Sequence, residues 1–268
     1  MYRKEDHTFV ICAYGENPYL AQTIRSLKEQ NVSSNILAAT STMNEHIISV
    51  CAKENIPLFE NTGKKGIGAD WNFAYDLAKT PLITIAHQDD IYEPDYARRI
   101  IQCANRAEDP IIIFTDYEEI RNDQRVHSNT LLRIKRLMLT PLSNANSSRS
   151  VFIRKRILSF GNPICCPSVT YVKAKIGPAP FDTEMVNSMD YKLYADHAGD
   201  RGEFVYIPQV LMAHRIYEES TTTQHIADKS RSAEDLAIMK RFWPDAAARA
   251  LHAVYVRGEK SNEVKKDA

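Results

Sequence analysis

The stretch that decides the fold reads Pro81-Leu82-Ile83-Thr84-Ile85-Ala86-His87-Gln88-Asp89-Asp90, an apolar run followed at once by two adjacent carboxylates. The apolar run predicts a short buried strand, which puts the carboxylates where the strand ends and its loop begins. In open α/β sheets, this edge is where ligands bind. Neighbouring carboxylates repel each other there, so they require a cation, a hydrogen-bond network or open solvent.

Two interpretations of Asp89 and Asp90 are open at this point. They suit a divalent metal, which proteins often hold with few carboxylates plus the phosphates of a substrate. Aspartate also caps turns and helices, and Pro94 indicates that such an element follows. Taken alone, the motif favours the cap, because aspartate is common where strands end.

Length and composition indicate one large α/β domain with an ample core, since 44% of the 268 residues are hydrophobic and 25% are charged. The 34 basic and 34 acidic residues balance, so no overall field attracts nucleic acid, and we expect no nucleic-acid partner. The five cysteines form no CxxC pair, which is typical of reduced thiols. No apolar stretch approaches the ~20 residues of a membrane span, and no signal peptide opens the chain. We therefore expect a cytoplasmic protein.

Strand and helix signals alternate through the first half of the chain. The predicted strands cover residues 8–13, 36–40, 56–59, 81–86 and 111–115, and the predicted helices cover 19–30, 45–55, 69–79 and 94–107. Repeated units of this length predict a largely parallel sheet with helices on both faces.

The alternation stops after Asp116. Residues 121–168 are rich in arginine and lysine and predict a loop-and-helix insertion, followed by a strand at 206–211 and an amphipathic helix from Asp228. The basic stretch has two interpretations. It recognises an anionic acceptor, such as a phosphorylated glycan or a lipid carrier at the inner membrane face, or it is a solvated surface.

Five motifs follow one another along the chain. They are Ala13-Tyr14-Gly15-Glu16-Asn17, Asp70-Trp71-Asn72-Phe73-Ala74, the stretch 87–90, Phe181-Asp182 before Met189-Asp190-Tyr191-Lys192-Leu193, and His214-Arg215-Ile216-Tyr217-Glu218-Glu219-Ser220-Thr221. Their order resembles the family 2 glycosyltransferases with the GT-A fold, over roughly residues 8 to 225. Each motif is weak alone, but five at plausible spacing are specific. Within this order, the metal interpretation of residues 87–90 overtakes the cap.

The chain departs from the family pattern at four places. His87 stands where the first aspartate of the Asp-x-Asp metal motif is usual, and Thr40-Ser41-Thr42 stands where many members carry an aspartate that contacts the base. Met189 replaces a glutamate, and Tyr217 replaces a second histidine. These departures concern the nucleotide and the details of metal binding rather than the fold.

The resemblance implies an α/β GT-A (Rossmann-like) fold, with a mostly parallel central sheet, helices on both faces and a C-terminal helical extension. It divides the chain into a glycosyltransferase domain over residues 1–225 and a helical tail over 226–268. Within the domain, residues 1–116 form the nucleotide-binding half and residues 117–225 the acceptor-side half.

The implied activity is an inverting transfer of a sugar from a nucleoside diphosphate sugar, expected to be UDP-linked, to an acceptor hydroxyl. The expected acceptor is a glycan or a lipid-linked molecule, in cell-surface glycan or polysaccharide synthesis. The resemblance makes Asp190 the general base. It makes Asp89 and His214 ligands of Mn²⁺ or Mg²⁺, which neutralises the departing diphosphate. The predicted nucleotide-sugar-binding residues are Ala13, Tyr14, Glu16, Thr40, Ser41, Asp70, Asn72, His87 and Asp90.

Plainer roles remain open for several of these residues. His214 fits a hydrogen-bonded loop histidine, Asp190 a helix cap, and Tyr14 a core aromatic near the sheet edge. Trp71 is expected to pack rather than bind. At the level of the chain, the alternatives are a non-catalytic nucleotide-sugar or glycan binding module and a nucleotidyltransferase.

Overall fold

The computed structural model describes residues 1–217 and 230–259. Its strands are β1 (His7–Ala13), β2 (Asn35–Thr40), β3 (Leu58–Glu60), β4 (Leu82–His87), β5 (Ile91–Tyr92), β6 (Pro110–Arg121), β7 (Gln124–Val126), β8 (Val169–Val172) and β9 (Glu203–Ile216). Its α-helices are α1 (Leu20–Lys28), α2 (Glu45–Lys53), α3 (Ile67–Leu77), α4 (Tyr96–Arg106), α5 (Thr130–Leu139), α6 (Ala145–Arg149), α7 (Val151–Leu158), α8 (Lys173–Ile176), α9 (Met189–His197), α10 (Ser230–Met239) and α11 (Asp245–Glu259).

The described strands form a single sheet in the order β3-β2-β1-β4-β8-β6-β9-β5, with β7 paired to β6. The first four strands of this order are mutually parallel, which confirms the winding predicted for the first half of the chain. β8 then runs antiparallel to both β4 and β6, and β6 pairs in parallel with β9. The sequence did not indicate β8, because its four residues lie far along the chain from the strands that they join.

Both faces of the sheet are buried. Along β1, Phe9 and Ile11 face a core shared with α1, α2 and α4, and Val10 faces the opposite core, which α3 and α9 complete. Side chains alternate across a strand, so a strand that is apolar at every position requires cover on both sides.

Strand β9 is longer than the sequence predicted. The prediction covered residues 206–211, whereas the strand runs from Glu203 to Ile216 and pairs with β6 along its length, with irregular register near Asp116. Because His214 and Arg215 are polar, the sequence did not indicate that the strand continues through them. Both side chains are bonded to other elements of the fold, so they do not require solvent.

The insertion predicted over residues 121–168 is present as β7, α5, α6 and α7. Neighbouring acids neutralise several of its cations: Arg136 pairs with Asp116, and Arg149 pairs with Glu108. Arg154 is almost fully buried and donates to the carbonyl oxygens of Gly202 and Asp200. These contacts favour a structural role for much of the basic stretch.

The C-terminal helices pack on the same core. Ile238 of α10 joins the core of α3 and α9, and Met239 beside it is fully buried. The indole nitrogen of Trp243 donates to the carbonyl oxygen of Ser159 at 2.9 Å. Among the described helices, none has the length and apolar character required to cross a bilayer.

Candidate active site

Parallel pairing brings three predicted residues to one edge of the sheet. Ala13 at the end of β1 lies opposite Thr40 at the end of β2, and Cys12 lies opposite His87 at the end of β4. Because these strands run in the same direction, their carboxyl ends open at one edge, where the loops carry the other polar residues.

His87, Asp89 and Asp90 form a group that can hold a metal. Each offers one ligand atom, and the three atoms lie within 4.8 Å of one another. Asp90 is fully buried, and its Oδ1 accepts hydrogen bonds from Nδ1 of His214 at 3.0 Å and from the backbone N–H of Arg215 at 2.9 Å. Its Oδ2 has no hydrogen-bond partner among the described residues and lies 3.8 Å from Nδ1 of His87.

Burial and mutual repulsion shift the ionisation of this group. Burial raises the pKa of Asp89 to about 6, with a further increase from Asp90, against the opposing effects of His214 and a hydrogen bond with Tyr217. Burial lowers the pKa of His87 to about 4. His87 is therefore a neutral imidazole near pH 7, which is the form that binds metals. For His214, burial opposes the charge, but Asp90 and Asp89 outweigh it, so its pKa is raised.

His214 lies in strand β9, which corrects the interpretation of it as a loop residue. Its Nδ1 is used by Asp90, so Nε2 is the nitrogen that remains for another partner. Residues 218–221 of the same motif lie outside the described residues. The motif's last described residue is Tyr217, whose hydroxyl is hydrogen-bonded to Asp89 and accepts from Asn17.

Arg215 connects four parts of the molecule around the carboxylates, and sequence reasoning missed it. Its guanidinium donates to the backbone oxygen of Asp89, to Asp123 and to Gln22, and it lies 3.8 Å from the ring centroid of Tyr19. The available signal was its position next to His214 in the last of the five motifs.

Asp70, a predicted nucleotide-sugar-binding residue, is held by two side chains. Ser41 donates its hydroxyl to Oδ2 at 2.7 Å, and Asn61 donates its amide to Oδ1 at 2.8 Å. The structure thus brings the predicted residues Ser41 and Asp70 into contact. Asn61, which sequence reasoning missed, directly follows strand β3, and its backbone N–H bonds the carbonyl of Thr40.

Tyr14 is 66% exposed, so the alternative that placed it in the core is wrong. Its backbone is fixed by Gln88, whose side-chain amide accepts from the N–H of Tyr14 and donates to its carbonyl oxygen, both at 2.9 Å. Gln88 therefore extends the pairing of β1 and β4 by a side chain. Glu16 beside this pair is exposed. The ring of Tyr14 is free to contact a ligand at the edge of the sheet.

A seam joins α3 and the loop before it to residues 181–184. Both ends of the Asn72 amide bond the backbone of Phe181, at 2.7 and 2.8 Å, so this amide is engaged by the protein. Lys64 donates to Thr183 and Glu184. Trp71 packs as predicted, stacked on His87 and edge-on to Phe181. The predicted donor contact of Asn72 would require it to share or release these bonds.

Asp190 is the second residue of α9, so it does not occupy the N-cap position, which is Ser188. Its Oδ2 accepts from the amide of Asn162 at 2.9 Å. Burial raises its pKa, against the opposing effects of Arg231 and Asn162. Burial raises the pKa of the Cys165 thiol, and the charges of Asp90 and Asp190 raise it further, against the opposing effect of Lys135. Both carboxylates are therefore within electrostatic range of one buried thiol, which stays protonated.

Residues 8–177, more than half of the chain, match the family model described as glycosyl transferase family 2. The chain belongs to this family. No curated protein matches it in sequence.

Solved structures resemble this family 2 glycosyltransferase at low identity. The mannosyltransferase PcManGT from Pyrobaculum calidifontis, in complex with GDP-Man and Mn²⁺, has a TM-score of 0.64 and 14% identity, over 97% of this chain and 74% of that chain. Residues 1–349 of S. aureus TarS, in complex with UDP-GlcNAc, have a TM-score of 0.59 and 12% identity, over 96% and 73%. Glucosyl-3-phosphoglycerate synthase from Mycobacterium tuberculosis, with Mn²⁺ and UDP-Glc, has a TM-score of 0.56 and 10% identity, over 86% and 77%. The GT-A fold is confirmed.

The family match ends before Asp190, so the surroundings of this residue are described from the chain's own geometry. The structure brings Asp190 and Asn162 together, and it places α10 against the segment that precedes Asp190. Neither Asn162 nor α10 was among the predicted site elements. A single asparagine in a polar stretch gives no signal in the sequence.

Proposed function

We propose that the protein is an inverting glycosyltransferase that moves a sugar from a nucleoside diphosphate sugar to an acceptor hydroxyl. The observation that carries this proposal is the His87-Asp89-Asp90 group at the end of β4, together with the half-buried carboxylate of Asp190, which acts electrostatically on the same thiol, Cys165, as Asp90 does. The three-residue group is suited to bind a cation and a diphosphate, and the carboxylate of Asp190 is suited to act as a base.

The residues present fit a divalent cation. Two buried atoms of the group, Oδ2 of Asp90 and Nε2 of His87, have no hydrogen-bond partner among the described residues, and a cation would satisfy such atoms. We propose Asp89, with Asp90 and His87, as the holding residues, and His214 as a further ligand through Nε2. Two oxygen ligands with imidazole suit Mn²⁺ better than Mg²⁺. When bound, the cation neutralises charge on the leaving diphosphate.

We propose that the nucleoside lies against the exposed ring of Tyr14, near Ala13 and Glu16, with Thr40, Ser41 and Asp70 around the base and ribose. The contact of Ser41 with Asp70 supports this placement, because it fixes a carboxylate acceptor at the sheet edge. We propose UDP as the nucleotide, since two of the similar structures are complexes with UDP-sugars. PcManGT is in complex with GDP-Man, which makes GDP the alternative.

Asp190 is the proposed general base. The acceptor oxygen attacks the anomeric carbon while the bond from that carbon to the diphosphate breaks, and the hydroxyl proton moves to Asp190. Attack opposite the leaving group inverts the anomeric centre. The raised pKa of Asp190 supports this role, because a stronger base accepts the proton more readily. We propose a glycan or lipid-linked acceptor, as used in polysaccharide synthesis.

The test is purified protein with Mn²⁺ and a panel of UDP-, GDP-, CMP- and dTDP-linked sugars, screened by thermal shift and then assayed for transfer. We expect Asp190→Asn to lower kcat by about 10²- to 10⁴-fold and to retain nucleotide binding. Asp89→Ala should remove the Mn²⁺-dependent part of the thermal shift. Glu60→Gln, a change at an exposed position of β3, is the control. It should leave both kcat and the Mn²⁺-dependent thermal shift unchanged.

Two outcomes would contradict the proposal. Tight nucleotide binding without turnover, across the panel and plausible acceptors, would favour a non-catalytic binding module. Metal and nucleotide binding that survive Asp89→Ala unchanged would show that the metal assignment is wrong.

A further inference from the structure

Helix α10 holds the segment that precedes Asp190. The carboxylate of Glu234 accepts three consecutive backbone N–H groups: Val186 donates to Oε1 at 2.7 Å, and Asn187 and Ser188 donate to Oε2 at 2.9 and 2.8 Å. A carboxylate that accepts several backbone N–H groups forms charge-assisted bonds, which are stronger than bonds between neutral groups.

The next residue of α10 holds the same segment by a side chain. Ser188 is the residue before α9, a position where serine usually caps the helix with its own hydroxyl. Here it makes no such cap. Its hydroxyl instead donates to Oδ1 of Asp235 at 2.6 Å, and both residues are buried. The start of α9 is therefore fixed from α10 and not from within the helix.

Helix α10 is itself held in place by the core. α10 is packed into the core through Ile238 and Met239, which are 3% and 0% exposed. Asp190 follows Ser188 by two residues, and its carboxylate is bonded on another side to Asn162. A shift of residues 186–188 therefore carries Asp190 with it, and a displacement of about 1 Å in a reacting group costs up to about 10²-fold in rate.

We propose that Glu234 and Asp235 are positioning residues for the transfer reaction, and that α10 belongs to the catalytic machinery although it touches no reacting atom. The inference rests on the proposed function for the role of Asp190. It adds that the acceptor-side geometry is set by a helix beyond the family match, which ends at residue 177.

The experiment compares Glu234→Gln with Asp245→Asn, a matched loss of a carboxylate at the start of α11, where Asp245 pairs with exposed Arg249. Glutamine keeps the size of the side chain but turns an NH₂ group towards backbone donors. We expect Glu234→Gln to lower kcat by about 10- to 100-fold. Its affinity for the nucleotide sugar should stay within about twofold of wild type, because the residues proposed to bind that sugar lie in α3 and at the ends of β1, β2 and β4. Asp245→Asn should change neither quantity.

A double-variant cycle separates positioning from general destabilisation. In an Asp190→Asn background, Glu234→Gln should cause almost no further loss, because both changes remove the action of the same base. Losses that multiply would overturn the inference. If Glu234→Gln fails to fold at the assay temperature, Ser188→Ala carries the same test, with an expected loss of about 3- to 10-fold that also disappears in the Asp190→Asn background.

Hydrogen exchange makes the test independent of turnover. The amides of residues 186–188 should lose protection in Glu234→Gln and keep it in Asp245→Asn, and unchanged protection would overturn the inference even where no transfer is detected. Wild-type protein without transfer contradicts the proposed function. Active wild-type protein with an equally active Glu234→Gln variant contradicts only the role of α10.

Discussion

At Asp190, the charge of Arg231 and several hydrogen bonds oppose the effect of burial, and Asn162 donates one of these bonds from its side chain. Burial favours the protonated acid, which cannot act as a base, whereas the amide of Asn162 donates to the carboxylate and favours its ionised form. The balance leaves the pKa raised but keeps the group usable. Under the proposed function, the strength of the base would therefore be adjusted by a neighbour that need not touch the substrate.

Replacing Asn162 by alanine should move the acidic limb of the pH dependence of kcat/KM to higher pH. The active form is the carboxylate, and loss of the donor raises the pKa of Asp190 further, so activity is lost sooner as pH falls. A bond to a charged group contributes about 1.5 kcal/mol or more, which corresponds to about one pH unit. The pH profile of kcat/KM measures the limb. Asn31→Ala, which removes a surface bond to Asp95, is the control, and a limb that stays or moves down would contradict the account.

At the scale of elements, helix α3 approaches the segment before α9 more closely than a side chain allows. A Cβ at Gly68 would lie 2.7 Å from the carbonyl oxygen of Asp182. Alanine is favoured over glycine inside a helix by about 1 kcal/mol, but an overlap with backbone cannot be relieved by a rotamer change. The cost of the overlap therefore outweighs the gain in helix preference.

Gly68→Ala should therefore destabilise the protein, by about 1–3 kcal/mol in the free energy of unfolding. Urea denaturation measures the change. Gly199→Ala is the matched control, because a Cβ there meets only the flexible end of Lys155 at 3.4 Å, and its effect should be close to zero. Equal stability of the two variants would show that α3 and residues 181–183 move apart without cost.

At the scale of the molecule, a buried histidine makes stability depend on pH. His7 in β1 is fully buried and bonded to Ser34 and, across to β4, to Thr84. Burial lowers its pKa from 6.5 to about 3. Between pH 3 and pH 6.5, His7 binds a proton in the unfolded chain but not in the folded protein. The stability linked to His7 is therefore fully present above pH 6.5 and decreases as the pH falls towards 3.

The loss attributable to His7 reaches roughly 5 kcal/mol at the acidic end, as an upper value for a group shifted this far. His7→Gln should be less stable at neutral pH, because its bonds are altered, and should show a smaller fall in the free energy of unfolding on acidification. Urea denaturation at a series of pH values measures both. His197→Gln, a change in a surface pair with Asp200, should keep the wild-type slope. A wild-type slope in His7→Gln would mean that other groups cause the acid sensitivity.

The sequence was sufficient for features that depend on local pattern. The apolar runs predicted β1, β2, β4 and the start of β6, and the residue order predicted the sheet edge that gathers Thr40, Ser41, Asp70 and His87. Features that depend on pairing across long separations were not predictable. Gln88 completes a strand pairing through its side chain, and Arg215 is satisfied by partners from three other segments. The residues next to Gln88 and Arg215 in the sequence do not indicate these long-range contacts.

The seam between α3 and residues 181–184 would couple the two binding steps of the proposed reaction. One side of the seam, Lys64 to Asn72, contains Asp70 on the proposed donor side, and the other leads to Asp190. If donor binding orders this seam, the acceptor no longer bears that entropic cost, and its affinity rises. Linkage requires the donor to bind more tightly, by the same factor, when the acceptor is present. The protein would then favour the ternary complex over either binary complex and limit wasteful hydrolysis of the sugar donor.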